Sequence, residues 1–292
     1  MELLQLYYFR VTARCEHISA AARELHIAQP ALSQTIKRLE NELGTPLFDR
    51  TGKHIRLNDC GRVFLKYTDT VLNALSDAKA ELADMNNANP QPVSFSVQAA
   101  SSLLPDILER FRSQQPDIHF QISQSAAVRG SSDDIDLTLH AAATFTQTPE
   151  TALLLEEPMV IALPGNHPLA GEGPLKLRAL ANQPFASLSR ESNLYAITRH
   201  YCALAGFEPQ ISLSCDNPQA FRELLGLNMG IALVPAITWP DMAGSGIVTR
   251  PVADIPCTRY LLLSWKCSRY LSAPAAVFRS FLIDYFKELA GR

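Results

Sequence analysis

The sequence predicts a multidomain protein of α and α/β class, with a winged helix-turn-helix, a long linker helix and an α/β domain of two lobes. Three patterns lead to this fold. Residues 1–58 hold short helical segments followed by a basic hairpin, residues 59–88 hold one uninterrupted helical pattern, and strand and helix patterns alternate from residue 93 onward. Such alternation is typical of α/β domains. At 292 residues the chain is also longer than one compact core usually serves.

Helical patterns account for most of the chain before residue 45. Residues 2–16 carry apolar side chains at helical spacing, and Ser19 is a good N-cap for the alanine-rich segment that follows. Pro30 stands in the first turn of the next helix, where its missing N–H costs nothing, and Gly44 is a typical C-terminal stop. Three short helices are therefore predicted.

The third predicted helix has one apolar face and one polar face. The apolar side chains step by four, three and four: Leu32, Ile36, Leu39 and Leu43. The opposite face is polar at its start and basic further on: Pro30, Gln34, Lys37 and Asn41, flanked by Ser33 and Arg38. Gln can bond base edges in the major groove, whereas Ser and Lys bind phosphates or guanine acceptors. The pattern fits either a DNA-recognition helix or an ordinary solvated face.

A basic hairpin follows the third helix and favours the first of these interpretations. Residues 50–57 alternate basic and apolar side chains around Gly52, and cations on such a wing can reach a phosphate backbone or a minor groove. Residues 1–66 contain 10 Lys and Arg against 7 Asp and Glu, and the rest of the chain contains 16 against 22. A basic N-terminal part on an acidic remainder agrees with a DNA-reading domain. Asn58 is predicted to cap the next helix.

These segments closely resemble the N-terminal signature of LysR-type transcriptional regulators. The resemblance is carried by AAxxL at 21–25, QPALS at 29–33, IxxLE at 36–40 and LGxxLFxR at 43–50, with Asn58 and Cys60 as small departures from the usual Thr and Ala. It implies binding to double-stranded promoter DNA. Together with the face and wing patterns, it gives these candidate DNA contacts: Ser19, Gln29, Pro30, Ser33, Gln34, Lys37, Arg38, Arg50, Lys53 and His54.

Residues 59–88 predict one long helix with an apolar seam. The seam alternates steps of four and three: Phe64, Thr68, Val71, Leu75, Ala78, Leu82 and Met85. Either the helix lies on its own domain, or residues 59–89 pair with a second copy and make a homodimer that reads two half-sites. A polar, proline-containing segment near residue 90 then suggests the domain boundaries: 1–58, 59–89 and 90–292.

The remainder predicts strands alternating with helices and largely parallel sheets. The strands are expected at 93–97, 119–123, 136–140, 153–163, 184–189, 211–214, 231–234 and 260–265. The helices are expected after Ser101 and Ser102 and at 194–205, 218–227 and 274–289. Two lobes with a cleft between them are expected: 90–162 with 267–292, and 163–266.

This part of the chain also resembles the LysR-type effector domain, closest to the glutamate-synthase-regulator subgroup. The matching segments are LLPDILERFRSQQPDIHFQI, DIDLTL, ALPGNHPLAG, AGFEP and MGIALVP. The resemblance implies two periplasmic-binding-protein-like lobes that hold a small organic effector, with no cofactor. It also implies assembly into a tetramer and contact with RNA polymerase. The segments near 98–102 and 124–135 are shorter than in the family, so the pocket can differ.

Pocket candidates follow from the ends of the predicted helices. Helix N-termini favour carboxylate ligands, and Arg190 could add a bidentate clamp, although the same residues can be plain caps. His140 fits a hydrogen-bonded core residue better than a ligand contact. The candidate effector contacts are Gln98, Ser101, Ser102, His140, Ser189, Arg190, Ser192, Asn193, Asn217, Met229 and Gly230.

The sequence disfavours two other functions. An enzyme is disfavoured because the chain lacks GxSxG, GxxxxGK[ST] and HExxH motifs, so no catalytic or metal-binding residues are predicted. A thiol-based redox regulator of the same fold would use Cys202 and Cys215, but the residues around them do not match the pattern of the peroxide-sensing subgroup, and Arg199 and His200 are weak activators of Cys202. No signal peptide or apolar span of membrane length is present, so a soluble, cytoplasmic protein without a membrane partner is expected.

Overall fold

The computed structural model describes residues 1–51, 54–86, 92–124, 135–239 and 246–291. The chain divides into two compact units, Met1–Ala88 and Asn89–Arg292. Within the described residues, no helix is both long enough and apolar enough to cross a bilayer.

The N-terminal unit is a helical domain with a two-stranded antiparallel hairpin. Its elements are α1 (Leu3–Cys15), α2 (Ile18–Glu24), α3 (Gln29–Leu43), β1 (Phe48–Thr51), β2 (His54–Leu57) and α4 (Asp59–Met85). Its core is built from the apolar faces of these helices, including Phe9, Ala21, Leu32, Ile36 and Leu39. The predicted helix-turn-helix and hairpin are thus both present.

The ends of these helices follow local chemistry, with one correction. Gly44 ends α3 in the left-handed region at φ 71°, and the Asn58 side chain accepts a hydrogen bond from the Gly61 N–H at 2.8 Å. Ser19 does not cap α2. The helix begins at Ile18, which makes His17 the N-cap, and its Nδ1 accepts from the Ala20 N–H at 3.3 Å. Ser19 is instead an exposed first-turn residue.

The apolar seam of the long helix α4 lies in two environments, buried near its start and exposed near its end. Phe64 packs on Phe9, with ring centroids 5.0 Å apart, and Thr68 is buried in the same unit. At these two positions the start of α4 therefore completes the core of its own unit, which is the first of the two alternatives for this helix. Toward its end the seam is open, since Leu82 is 57% and Met85 75% exposed.

The C-terminal unit is an α/β domain built on mixed sheets. Its strands are β3 (Val93–Val97), β4 (Phe120–Ser123), β5 (Leu137–Ala142), β6 (Thr151–Pro164), β7 (Pro184–Leu188), β8 (Gln210–Cys215), β9 (Ala232–Pro235), β10 (Ile247–Pro251) and β11 (Thr258–Ser264). Its helices are α5 (Leu104–Gln114), α6 (Asn193–Leu204), α7 (Pro218–Leu225) and α8 (Ala273–Ala290). A 3-10 turn at Ser101–Leu103 precedes α5.

The sheets are not largely parallel, which corrects the sequence-based expectation. One sheet runs β10-β6-β11-β5-β3-β4, with β9 also paired to β6, and β7 pairs with β8 separately. Only β3–β4, β3–β5 and β7–β8 are parallel among the described pairs. The pairs that β6 makes with β9, β10 and β11 are antiparallel, and so is the pair of β11 with β5. Strand β10 was not predicted, since its five residues include Arg250 and Pro251.

Strand β6 passes from one half of the domain to the other. Its residues up to Pro158 pair with β11, whereas Met159 onward pair with β9 and Val160 onward with β10. Strand β11 also pairs with β5, beside β3 and β4. The boundary between lobes at 266/267 remains a prediction. Because β11 pairs with β5 and with the first part of β6, this pairing favours a boundary before Thr258, where the chain returns to the first lobe.

Candidate functional sites

Helix α3 presents a polar surface on the N-terminal unit. Gln29, Pro30, Gln34, Lys37 and Arg38 are exposed and Ser33 is half-buried, while Leu32, Ile36 and Leu39 are buried beneath them. Among the described residues, Lys37 and Arg38 have no carboxylate within ion-pair distance. Their positive charges are therefore available to an anionic ligand.

The hairpin is held in place by two carboxylates from the helices. Glu40 accepts hydrogen bonds from the Leu47 and Phe48 N–H groups at 2.8 and 3.3 Å, and Glu16 accepts from the Leu57 N–H at 2.9 Å. The register pairs Arg50 with Ile55 and Thr51 with His54. Lys53 lies outside the described residues, as do the side chains of Arg50 and His54.

The C-terminal unit contains a cavity of about 400 Å³ at the carboxyl ends of β3, β7 and β8. Most of its lining residues are of polar types: Val97, Gln98, Ser101, Gln124, Leu188, Ser189, Glu191, Ser192, Asn193, Asp216, Asn217 and Pro218. This size and position are typical of a small-molecule site in an α/β domain. Six of the predicted effector residues meet here: Gln98, Ser101, Ser189, Ser192, Asn193 and Asn217.

The other predicted effector residues lie outside this cavity. The Ser102 hydroxyl donates to the Thr238 carbonyl at 2.8 Å. His140 Nε2 and Ser264 Oγ are 2.7 Å apart, and burial lowers the pKa of His140, so His140 is a hydrogen-bonded residue of the sheet. Arg190 is exposed and does not line the cavity.

Met229 and Gly230 lie at a turn before β9 and also outside the cavity. Met229 is exposed, and its carbonyl accepts from the Ser212 hydroxyl at 3.0 Å. Gly230 has φ 146°, and a Cβ there would lie 2.9 Å from the Pro184 carbonyl oxygen. Glycine is thus required by the close approach of two backbone segments rather than by a ligand.

The helix N-termini at the cavity are already capped. Ser192 Oγ accepts from the Tyr195 N–H at 3.1 Å, and Asn217 Oδ1 accepts from the Gln219 and Ala220 N–H groups at 2.9 and 3.1 Å. Asn193 Oδ1 accepts from the Ala141 N–H at 2.9 Å and so ties α6 to β5. Because these donors are occupied, the case for a carboxylate ligand at these helix ends is weaker than the sequence indicated.

The candidate effector contacts leave out part of the lining, above all its negatively charged side chains. Glu191 and Asp216 are exposed carboxylates at the cavity, and none of the described lining residues is Lys, Arg or His. Asp216 directly precedes the Asn217 cap, so its place in the same turn was a usable signal. Of the two shortened segments, Ser101–Leu103 forms the 3-10 turn, whereas residues 125–134 lie outside the described residues.

The cysteines of the proposed redox pair have unfavourable environments. Cys202 is fully buried on α6, and burial raises the pKa of its thiol to about 12. Cys215 is half-buried at the end of β8, with its Sγ 3.5 Å from the Asn217 carbonyl oxygen. The thiolate is the reactive form of a cysteine. Because Cys202 is buried and the pKa of its thiol is raised, Cys202 is poorly suited to peroxide sensing.

Cys202 is expected to react with a disulfide reagent at pH 8 far more slowly than the exposed Cys267. With a thiol pKa near 12, about one part in 10⁴ of Cys202 is thiolate at that pH. The measurement is the labelling rate of each cysteine by peptide mass spectrometry on the folded protein. Labelling of Cys202 at the rate of Cys267 would restore the redox alternative.

Family profiles match both units. The profile described as "Bacterial regulatory helix-turn-helix protein, lysR family" matches residues 3–62, and "LysR substrate binding domain" matches residues 93–287. These matches confirm the resemblance found on sequence.

Curated relatives cover the chain from end to end. "Transcriptional dual regulator GltC" of Bacillus subtilis (strain 168) is 32% identical over 99% of this chain and 99% of its own. "Uncharacterized HTH-type transcriptional regulator YybE" of the same organism is 31% identical over 99% and 100%. Both are regulators rather than enzymes.

Solved structures share the fold. A full-length OxyR variant from Pseudomonas aeruginosa aligns with TM-score 0.63 at 20% identity, covering 98% of this chain and 95% of its own. Full-length CbnR in complex with its target DNA aligns with TM-score 0.57 at 20% identity, covering 99% and 100%. With both domains matched, the chain belongs to the LysR family of DNA-binding transcriptional regulators, with an N-terminal helix-turn-helix and a two-lobed effector-binding domain.

Proposed function

We propose that this regulator reads promoter DNA with α3 and the hairpin, and that a small ligand in the cavity of the C-terminal unit changes its DNA binding. The exposed Gln34, Lys37 and Arg38 on a helix with a buried apolar face carry the DNA part of the proposal. An exposed amide suits base edges in the major groove, and the cations suit guanine or phosphate.

A homodimer through residues 59–89 is part of the same proposal. One recognition helix reads few bases, so two copies related by a two-fold axis are needed for a full site. The open stretch of α4, with Val71, Leu75, Leu82 and Met85 exposed, provides an apolar surface for a second α4. Assembly to a tetramer, contact with RNA polymerase and a cytoplasmic location rest on the family resemblance. A monomer by sedimentation at micromolar concentration would contradict the dimer.

The cavity supports a small, hydrogen-bonding ligand. Its volume of about 400 Å³ suits a metabolite, and its side chains are mostly amides, hydroxyls and carboxylates. A ligand that binds one arrangement of the domain better than another would shift the balance between them and thereby the binding to DNA.

The first experiment selects genomic fragments that the purified protein binds at fixed salt. We expect enrichment of a two-fold symmetric site, and Lys37→Ala should lower affinity for it about tenfold and reduce the salt slope by about one. Lys176→Ala, which removes the same charge from an exposed position in the C-terminal unit, is the matched control and should bind like the wild type. Wild-type affinity in both Lys37→Ala and Gln34→Ala would defeat the assignment of α3.

A further inference from the structure

A buried ion pair lies where β6 passes between the two halves of the C-terminal unit. Glu157 is 0% and Arg259 3% exposed, and the two residues are register partners on β6 and β11. Arg259 donates to Glu157 Oε1 from Nε at 2.8 Å and from Nη2 at 2.6 Å. Two residues further on, the Met159 N–H donates to the Cys257 carbonyl and β6 begins to pair with β9.

The same carboxylate also holds the segment that follows β9. Glu157 Oε2 accepts from the Ile237 and Thr238 N–H groups at 3.1 and 2.9 Å. The Thr238 hydroxyl donates to Glu157 Oε1 at 3.1 Å and accepts from Arg259 Nη2 at 2.7 Å. Every oxygen of the buried carboxylate is therefore bonded, and three chain segments are fixed to one another.

Buried ion pairs contribute little net stability, because desolvation offsets the attraction between the charges. An apolar pair could fill the same space, so a fully bonded pair at this crossing points to a role in fixing geometry. Such networks are rigid when every polar group is bonded, and breaking part of one costs free energy because buried polar groups lose their partners.

One hydrogen bond connects this ion pair to the edge of the cavity. The Ser102 hydroxyl, in the turn between β3 and α5, donates to the Thr238 carbonyl at 2.8 Å. The neighbouring Ser101 lines the cavity. Ser102 belongs to the half that contains β3, whereas Thr238 follows β9 in the other half, so this bond spans the two.

We propose that Glu157, Arg259, Thr238 and Ser102, called here the crossing network, position the Ser101–Leu103 turn and couple occupancy of the cavity to the arrangement of the two halves. A ligand that contacts Ser101 displaces the adjoining Ser102, and the Ser102–Thr238 bond is kept in one arrangement and lost in the other. The network residues are thus positioning residues for the effector response. The inference rests on the proposed ligand function of the cavity.

The test is hydrogen exchange on the full-length protein carrying Ser102→Ala. Loss of one neutral hydrogen bond should accelerate exchange of residues 237–239 about fivefold, although the substitution lies 136 positions away in sequence. Ser113→Ala is the matched control, since its exposed hydroxyl donates to the Arg110 carbonyl within α5 at 2.7 Å. That variant should leave residues 237–239 unchanged. Thr238→Val should also accelerate exchange there, and Thr238→Ser, which keeps the hydroxyl, should restore the wild-type rate.

A DNA measurement separates coupling from a merely local contact. On the selected operator, Ser102→Ala should bind within about twofold of wild type but change the bend of the DNA or the length protected from nuclease. Unchanged exchange at 237–239, or faster exchange with an unchanged bend and footprint, overturns the inference. If neither the wild type nor Ser102→Ala selects an operator, the proposed DNA function fails. The exchange of residues 237–239 then decides the inference by itself: unchanged exchange in Ser102→Ala overturns it, and fivefold faster exchange supports it.

Discussion

Replacing Glu157 with leucine is expected to lower the free energy of unfolding of the C-terminal unit by about 3–5 kcal/mol. The substitution leaves the Arg259 guanidinium, 3% exposed, without its counter-ion. It also removes the acceptor of the Ile237 and Thr238 N–H groups. Burial already lowers the pKa of Arg259, and Glu157 is the charge that opposes this shift. A leucine of similar size fills the space but cannot satisfy these donors.

Tryptophan fluorescence reports this loss directly. Both tryptophans of the chain, Trp239 and Trp265, belong to the C-terminal unit, and Trp239 is next to Thr238. In urea, the fluorescence midpoint of Glu157→Leu should fall by more than about 1 M. Glu156→Leu is the control, because Glu156 is the exposed neighbour on the opposite face of β6. A midpoint for Glu157→Leu within about 0.3 M of that control would contradict the expectation.

The helices of the N-terminal unit were predictable because their causes are local. The spacing of Leu32, Ile36 and Leu39 fixes the buried face of α3, and that also identifies Gln34 and Lys37 as exposed. Gly44 and Asn58 end and begin helices through contacts within a few residues. The cap of α2 was misassigned because His17 and Ser19 both have acceptors within reach of the first turn.

The ion pair at the strand crossing was not predictable from the sequence. Alternation in β6 requires one of Glu156 and Glu157 to face inward, but it does not say which, nor that the partner is 102 positions away. The parallel-sheet expectation failed for a related reason, since β11 pairs with β6 over a long sequence separation. Likewise, the cavity combines turns after β3, β7 and β8, so neighbouring positions in the sequence do not show that Glu191 lines it while Arg190 lies outside it.

Replacing Gly61 with alanine is expected to destabilise the N-terminal unit by about 3 kcal/mol. Gly61 lies in the first turn of α4, and a Cβ there would be 2.2 Å from the Leu47 carbonyl oxygen and 2.7 Å from Leu57 Cδ1. Alanine in a helix ordinarily gains about 0.5–1 kcal/mol over glycine. The contact with a backbone oxygen outweighs that gain, because either α4 or the segment that leads into β1 must move.

The displaced segment carries the hairpin, so operator binding should fall together with stability. The N-terminal unit contains no tryptophan, and its unfolding is followed by far-UV circular dichroism against the tryptophan signal of the other unit. In Gly61→Ala, a helical transition should come at lower temperature, before the tryptophan transition, which should stay at its wild-type position. Cys60→Ala changes the exposed neighbour in the same turn and should behave like the wild type. If the dichroism and fluorescence transitions of Gly61→Ala coincide at the wild-type temperature, α4 can shift to admit a methyl group. The tight packing of α4 against the hairpin would then not be what holds the DNA-reading unit together.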